Sequence, residues 1–217
     1  MNVYVVVEGE QTEVQVYRSW IPLVNPALRE APDLFSMTTN NFSILCGYGY
    51  PGYLDVIEAA IQDVNSSAVA DRLVIAVDTE DLTMEEKSAE IDELLRAVPC
   101  IAEVVVVLQH PCIEAWALGN RKVNPRQPKS EALREYRRVH DVRLLDPELI
   151  PAHQSWNRAQ FSERYLRTVL NDRNKRLTYQ KNNPKAICHP KYFAQLQARA
   201  AETGHIGTFR EFVRAFS

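Results

Sequence analysis

The stretch Val3-Tyr4-Val5-Val6-Val7, followed directly by Glu8, decides the fold class of this chain. A continuous run of β-branched and aromatic residues predicts a strand that is buried on both faces. A second run of this kind, Arg72-Leu73-Val74-Ile75-Ala76-Val77, ends abruptly at Asp78. Strands that are apolar throughout, rather than alternating, are typical of a parallel sheet covered by helices on both sides.

Two further strand patterns, at residues 42–46 and 103–108, alternate with helical patterns. The helices are expected to begin near Thr12, Gly52, Thr83 and Pro111, and those at Thr12 and Thr83 have capping-box spacing. This order predicts an α/β domain over residues 1–120, with a mostly parallel four-stranded sheet flanked by helices.

The charge of the chain changes after residue 120. Residues 1–120 hold 5 Lys/Arg and 19 Asp/Glu, whereas residues 121–217 hold 20 Lys/Arg and 9 Asp/Glu. Helical patterns recur in the basic part, near residues 130–139, 160–171, 190–203 and 208–216. The sequence therefore predicts a basic, mainly helical extension over residues 121–217 that binds nucleic acid or a partner protein. A simple attraction between the acidic and basic halves is the alternative.

Several classes of protein are disfavoured by what the sequence lacks. The four cysteines have no CxxC spacing, and there is no HExxH, Walker A, GxGxxG or G-x-S-x-G motif. Met1 leads straight into a strand pattern, and no apolar run approaches 18 residues. We therefore expect a cytoplasmic protein without a signal peptide, a structural zinc site or a membrane span.

Carboxylates follow two of the predicted strands. Glu8 follows the strand at residues 3–7, and Asp78, Glu80 and Asp81 follow the strand at residues 72–77, the third in chain order. Glu13 lies at the start of the first helix. Functional residues of parallel sheets collect at the carboxyl ends of the strands, and clustered carboxylates suit Mg²⁺ or Mn²⁺. A metal held there could activate water against a phosphate. Helix caps and solvated loop residues are the alternative interpretation of each carboxylate.

The segment from Val7 to Glu13 resembles the E-G-x-T-E segment of TOPRIM domains, in the form found in OLD-type nucleases and related phage-defence proteins. The segment from Ile75 to Asp81 is similar to the D-x-D segment of the same fold. The resemblance covers residues 1–120 and implies that Glu8, Asp78 and Glu80 bind the metal. Because Glu80 stands where TOPRIM domains usually have Asp, Asp81 is an alternative ligand.

Two later segments resemble small TOPRIM-like proteins of bacterial defence loci, which commonly accompany a partner ATPase. Pro111 to Leu118 is similar to their P-x-x-E-x-W segment, which makes Glu114 a candidate site residue; otherwise Glu114 would be exposed on a packed helix. Tyr179-Gln180-Lys181, in the basic stretch 173–192, resembles their Y-x-K segment. The resemblance implies that Lys181 contacts the scissile phosphate, and a basic surface loop is the alternative.

Together these patterns predict a Mg²⁺-dependent (or Mn²⁺-dependent) nuclease acting on DNA or RNA in antiviral defence, with a partner ATPase. The expected catalytic residues are Glu8, Glu13, Asp78, Glu80 and Lys181, and the expected metal ligands are Glu8, Asp78, Glu80 and Asp81. A non-catalytic regulatory subunit of an ATPase-containing complex is the main alternative, and phosphoryl transfer to a small molecule is a lesser one. The sequence does not decide between a monomer and a homo-oligomer.

Overall fold

The computed structural model describes all 217 residues and divides into two compact units. The first unit comprises Met1–Val77, Thr83–Leu108 and Phe212–Ser217, and the second comprises Asp78–Leu82 and Gln109–Glu211. This division does not coincide with the boundary after residue 120 that the charge pattern suggested.

A five-stranded, all-parallel sheet confirms the predicted α/β class. Its order is β2-β3-β1-β4-β5, and the strands are β1 Val3–Val7, β2 Arg29–Glu30, β3 Asn41–Cys46, β4 Arg72–Asp78 and β5 Glu103–Gln109. The prediction of four strands was wrong by one. The missed strand, β2, has two exposed residues, which is too short for a periodic pattern.

Strand β1 is central in the sheet. Val3 pairs with Phe42 of β3 and Arg72 of β4, and Val7 pairs with Cys46 and Ala76 in the same way. All five residues of β1 are buried. This placement explains why the stretch reads as a continuous apolar run, since both of its faces and both of its edges are covered.

Three helices accompany the sheet in the first unit: α1 Thr12–Val24, α2 Gly52–Ser67 and α3 Met84–Ala97. The capping box predicted at Thr83 is confirmed, because Thr83 Oγ1 accepts from Glu86 N–H and the Glu86 carboxylate accepts from Thr83 N–H. The one predicted at Thr12 was wrong: Gln11 precedes α1 and no side chain caps it. One core cluster joins strand residues to α2 and α3, including Tyr4, Val6, Leu73, Ile75, Ile57, Ile61 and Ile91.

The last six residues of the chain belong to the first unit. The Phe212 ring lies 4.9 Å from the Tyr17 ring and 5.9 Å from the Trp20 ring of α1. Arg72 Nη1 donates a hydrogen bond of 2.6 Å to the carbonyl oxygen of Ala215. These contacts account for one part of the difference from the predicted boundary.

The second unit is helical and begins earlier than predicted. Its helices are α4 Ile113–Leu118, α5 Glu131–Val139, α6 Arg158–Arg173, α7 Lys185–Cys188, α8 Pro190–Thr203 and the first half of α9 Gly207–Phe216. Every residue of α4 is buried; Trp116 Nε1 donates to Thr208 Oγ1 (2.7 Å), and Ala117 O accepts from Tyr192 O–H (2.7 Å). No helix in the chain has both the length and the hydropathy needed to cross a bilayer.

Candidate functional site

In the first unit, the position of Glu8 is fixed by backbone bonds on two sides. Its N–H donates to Ala76 O on β4 (3.1 Å), and its carbonyl oxygen accepts from Gly49 N–H (3.0 Å). The turn that contains Gly49 also bonds to the end of β1, through Gly47 N–H and Val7 O (2.7 Å). Glu8, which is half-buried, therefore follows β1 as predicted and is held against the turn that precedes α2.

The Glu13 carboxylate packs over the backbone of Gly9, the residue after Glu8. A Cβ atom built on Gly9 would lie 2.1 Å from Glu13 Oε2, far inside van der Waals contact. The first turn of α1 therefore directs Glu13 back toward the end of β1. Because Gly9 has no side chain, the Glu13 carboxylate can lie close to the backbone next to Glu8, five residues earlier in the chain. The structure thus brings two of the predicted site residues, Glu8 and Glu13, into one neighbourhood.

Replacing Gly9 with alanine is expected to displace the Glu13 carboxylate without unfolding the protein. The clash would fall on the far end of a flexible side chain, so rotation of Glu13 relieves it. We expect a change in melting temperature of no more than about 2–4 °C, equivalent to about 1 kcal/mol for a chain of this size. If Glu13 acts in catalysis, the cleavage rate falls to that of a Glu13→Gln variant, and an unchanged rate would remove Glu13 from the site.

A buried lysine, Lys87 of α3, was missed by sequence reasoning. Its Nζ donates to Tyr53 Oη and to Glu90 Oε2, both at 2.9 Å, and Tyr53 O–H donates to Glu90 Oε2 at 2.6 Å. Burial raises the pKa of Tyr53, and so do the neighbouring Glu90 and Glu8. Burial opposes ionisation of Glu90, yet hydrogen bonds from Lys87 and Tyr53 lower its pKa. The spacing of Lys87 and Ile91 on one face of α3 was the available signal.

In the second unit, the turn that follows β4 is held by the segment after β5. Thr79 N–H donates to Gln109 O (3.0 Å), and Glu80 N–H donates to Pro111 O (2.9 Å). Glu80 is exposed and has a φ of +50°, a left-handed conformation that is uncommon for a residue with a side chain. Non-glycine residues held in this region often mark functional sites, where the surrounding structure offsets the strain.

Asp81 is engaged by the start of α6. Its Oδ1 accepts from the backbone N–H of Arg158 (3.3 Å), and the guanidinium of Arg158 donates to His110 Nε2 (3.0 Å). Because a guanidinium can only donate, His110 Nε2 must accept, so the ring proton is on Nδ1 and points to Thr79 Oγ1 at 2.7 Å. This network gives Asp81 a clear structural contact, which Glu80 does not share.

Glu114 is buried, so the alternative of an exposed Glu114 was wrong. Its Oε1 accepts a 2.6 Å hydrogen bond from Tyr179 O–H, across 65 residues of sequence. Burial raises the pKa of the Cys112 thiol, and the nearby carboxylates of Glu114 and Asp78 raise it further. Two of the segments that carried the resemblance are therefore joined by a direct contact, and Asp78 lies near them.

Lys181 lies on the surface of the second unit. Its side chain is 67% exposed, and its Nζ lies 4.0 Å from Glu163 Oε2. Two residues earlier in the chain, Tyr179 is buried. The basic stretch 173–192 is thus anchored by its tyrosine and presents its lysine to solvent.

Asp78 is the last residue of β4, and Gln109 is the last residue of β5. Where Val7 pairs with Ala76, the residue after Val7 donates its N–H to Ala76 O. Thr79, the residue after Asp78, donates its N–H to Gln109 O in the same way, so Asp78 and Gln109 are neighbours across β4 and β5. Gln109 is fully buried, and neither of its side-chain polar atoms has a hydrogen-bond partner. No group of three or more His, Cys, Asp or Glu side chains is arranged to hold a metal ion. Mg²⁺ commonly takes only one or two carboxylates and keeps several waters, and its binding here stays a prediction.

Comparisons with known proteins identify no relative. No protein-family model matches the sequence, no curated protein matches it, and no solved structure matches the fold.

Proposed function

We propose that the chain is a Mg²⁺- or Mn²⁺-dependent nuclease that cleaves phosphodiester bonds of DNA or RNA. The strand order carries this proposal. Strands β1 and β4 are neighbours in a parallel sheet; Glu8 follows the first and Asp78 ends the second. The carboxyl ends of neighbouring parallel strands are the usual place for the catalytic groups of such folds.

The proposed roles follow the chemistry of each side chain. Glu8, Asp78 and Glu80 are the proposed metal ligands; their side chains do not form a three-ligand group here, so they would have to turn toward the metal, which when bound supplies charge that stabilises the phosphate and activates water. Glu80 is preferred to Asp81 because Asp81 already accepts a hydrogen bond from the start of α6. Glu13 would orient or deprotonate the water, and Lys181 would contact the phosphate.

Antiviral defence with a partner ATPase is the biological setting that we propose. It rests on the resemblance of the segments around Glu8, Asp78, Glu114 and Tyr179 to defence-associated TOPRIM proteins. The hydrogen bond between Glu114 and Tyr179 supports that resemblance, because it joins two segments that were recognised independently in the sequence.

A non-catalytic regulatory subunit is the second candidate, and one observation favours it. The side chains do not form a three-ligand group for a metal ion. In that case the acidic residues of the first unit would bind a basic partner protein, and the fold would be retained without cleavage.

A cleavage assay distinguishes these candidates. Purified protein is incubated with labelled single-stranded DNA, double-stranded DNA and tRNA in Mg²⁺, Mn²⁺ or EDTA. Cleavage that requires metal and that disappears in a Glu8→Ala, Asp78→Ala double variant supports the nuclease. If neither protein cleaves any substrate, with and without the proposed partner ATPase, the regulatory candidate is favoured.

Two exposed tyrosines beside Glu8 are expected to bind bases. Tyr48 and Tyr50 are 71% and 70% exposed, and the turn that carries them bonds to the Glu8 carbonyl through Gly49. Stacking of a base on an aromatic ring contributes about 1–3 kcal/mol. Tyr48→Ala and Tyr50→Ala should therefore each weaken single-stranded DNA binding by about 5- to 150-fold, measured by fluorescence anisotropy in EDTA.

The matched controls for this prediction are Tyr→Phe at the same positions and Phe35→Ala. Phenylalanine keeps the stacking surface, so Tyr48→Phe and Tyr50→Phe should retain most of the affinity. Phe35 is also strongly exposed in the first unit but lies in the short turn Leu34–Ser36, away from Glu8 in the chain. Equal losses in the Phe35→Ala variant would show that these aromatic residues act nonspecifically.

A further inference from the structure

The second unit contains a cavity of about 590 Å³ whose lining is strongly cationic. Five of its seven lining residues carry a positive charge: Arg121, Lys122, Arg126, Arg143 and Arg173, with Asn124 and Pro125 completing the wall. We call it the basic cavity. No carboxylate lines it, although the surrounding surface offers several. Such a concentration of one charge in a concave site attracts and retains anions.

The wall of the basic cavity is fixed by an arginine that does not line it. The guanidinium of Arg137 donates to the carbonyl oxygens of Arg126 (3.1 Å) and Pro125 and to Asn124 Oδ1. Arg143 Nη1 donates to the carbonyl oxygen of Asn124 (3.3 Å). These four bonds hold the segment Asn124–Arg126 in place, so the fold fixes this part of the wall, whereas the side chains of Lys122, Arg126 and Arg173 are exposed.

Asn124 has a donor that the protein does not use. The residue is 3% exposed, and its Oδ1 accepts from Arg137, whose guanidinium can only donate. This contact fixes the orientation of the carboxamide: the atom that faces Arg137 is the oxygen, and the remaining side-chain polar atom is the donor Nδ2. Asn124 Nδ2 is buried and has no hydrogen-bond acceptor. A buried donor without an acceptor is costly, and an acceptor supplied by a ligand would satisfy it.

Like charges crowd around Arg143. Burial lowers its pKa, and the neighbouring guanidinium groups of Arg137, Arg126 and Arg121 lower it further, against the opposing effect of Asp141. The ion pair between Arg121 and Glu202 lies at the exposed margin, where solvent screens it. The cations therefore repel one another in the unliganded protein, and a bound anion would relieve that repulsion.

An apolar cavity of about 550 Å³ adjoins the basic cavity, and Lys122 lines both. Its apolar lining includes Val123, Leu170, Leu177 and Tyr192. The turn Asn120–Val123 contributes lining residues to both cavities, and within it Asn120 Oδ1 accepts from the N–H groups of Lys122 and Val123. A ligand that fills both must combine a multiply charged anionic end with a flat or apolar end.

We propose that the basic cavity binds the phosphoryl groups of a nucleotide and that the apolar cavity receives its base. The nucleotide is either a free nucleoside polyphosphate or the 5′-phosphorylated end of a nucleic-acid strand, because both present the same group. The site goes beyond the proposed nuclease: it requires no metal and uses none of the carboxylates assigned to cleavage.

The test is isothermal titration calorimetry of the full-length protein in EDTA. The probes are inorganic tripolyphosphate, ATP, and one short oligonucleotide prepared with a 5′-phosphate or a 5′-hydroxyl. Tripolyphosphate is expected to bind and to be displaced by the preferred nucleotide. Tight ATP binding identifies a free nucleotide, and a preference for the 5′-phosphate over the 5′-hydroxyl strand identifies a strand end. Absence of binding by all the phosphate probes at low salt overturns the proposal.

A charge-matched pair of variants shows whether the cavity is responsible. Lys122→Gln, Arg173→Gln removes two cations from the lining, and Arg138→Gln, Arg210→Gln removes two exposed cations elsewhere in the second unit. The first variant should raise the dissociation constant about tenfold per removed cation, and the second should change it by less than about twofold. Equal effects overturn the proposal. Since EDTA prevents metal-dependent cleavage, failure of the nuclease proposal would leave this result unchanged.

Discussion

Replacing Asp78 with asparagine is expected to lower metal-dependent cleavage by about two orders of magnitude or more while leaving the melting temperature unchanged or slightly raised. Asparagine keeps the shape of the side chain but loses the charge that would hold the metal. The carboxylates of Asp78 and Glu114 both raise the pKa of the Cys112 thiol, so the two negative charges lie near each other. Neutralising Asp78 removes one of them, which is why the melting temperature should not fall. Single-turnover rates at saturating Mg²⁺ and thermal unfolding of the same samples measure the two effects.

Asp92→Asn is the matched control, because it replaces a carboxylate with an amide in the same way, on the exposed side of α3. Its cleavage rate should equal that of the unmodified protein. Glu80→Gln and Asp81→Asn then separate the two candidate ligands: Glu80→Gln should lose cleavage, whereas Asp81→Asn should mainly lose stability by weakening its contact with the start of α6. Wild-type cleavage by Asp78→Asn would contradict the proposed site, and a large loss of stability would assign Asp78 a structural role.

The parts of the fold that could be predicted are those encoded by local pattern. Strands β1 and β4 are buried on both faces, so their sequences are continuously apolar and unmistakable. The Thr83 capping box was predictable because all of its atoms lie within four residues. The same spacing at Thr12 formed no cap, because α1 begins one residue earlier than the motif requires: Gln11, and not Thr12, is the residue that precedes the helix.

Residues that depend on distant contacts could not be placed from the sequence. Lys87 looked like an ordinary charge on an exposed helix, yet it is buried against Tyr53 of α2. Glu114 was open to an exposed placement, and only the contact with Tyr179, which is 65 residues away, settles its burial. The motifs therefore indicated candidate carboxylates, whereas the groups that orient them come from packing.

The basic cavity illustrates the same limit for charge. The sequence shows an excess of cations after residue 120, but it does not show that Arg121, Arg126, Arg143 and Arg173 line a common space. These residues come from three separate segments of the chain. Arg137 holds one of these segments through its bonds to Asn124–Arg126, and these bonds have no recognisable spacing in the sequence.

Replacing Arg199 with methionine is expected to destabilise the second unit by about 3–5 kcal/mol. Arg199 is 1% exposed, and its guanidinium donates to three carbonyl oxygens in one turn, those of Val142, Arg143 and Leu145. Methionine keeps the apolar stem but leaves these carbonyls without their donor. At about 2–4 °C per kcal/mol, the melting temperature should fall by roughly 10 °C, measured by differential scanning calorimetry.

Arg199→Lys and Arg210→Met test the reason for this effect. Lysine keeps the charge but has a single nitrogen, which cannot reach all three carbonyls, so its stability should lie between those of the wild type and Arg199→Met. Arg210 is exposed on the next helix, and its replacement should change stability by less than about 0.5 kcal/mol. A lysine variant as stable as the wild type would show that charge, rather than the forked geometry of the guanidinium, supports this turn.

Acidification should weaken the same region. Arg199 Nη2 donates to His205 Nδ1 (2.8 Å), and burial, followed by the nearby Arg199, lowers the pKa of His205 below its ordinary value of 6.5. Protonation of His205 therefore favours the unfolded chain, and its contribution to stability is present above about pH 6.5 and is lost as the pH falls through the lowered pKa. In Arg199→Met the guanidinium that opposes protonation is absent, so the part of the acid sensitivity that arises from Arg199 should disappear. Denaturant titrations at about pH 7.5 and pH 5 would contradict this coupling if both proteins lost the same free energy of unfolding.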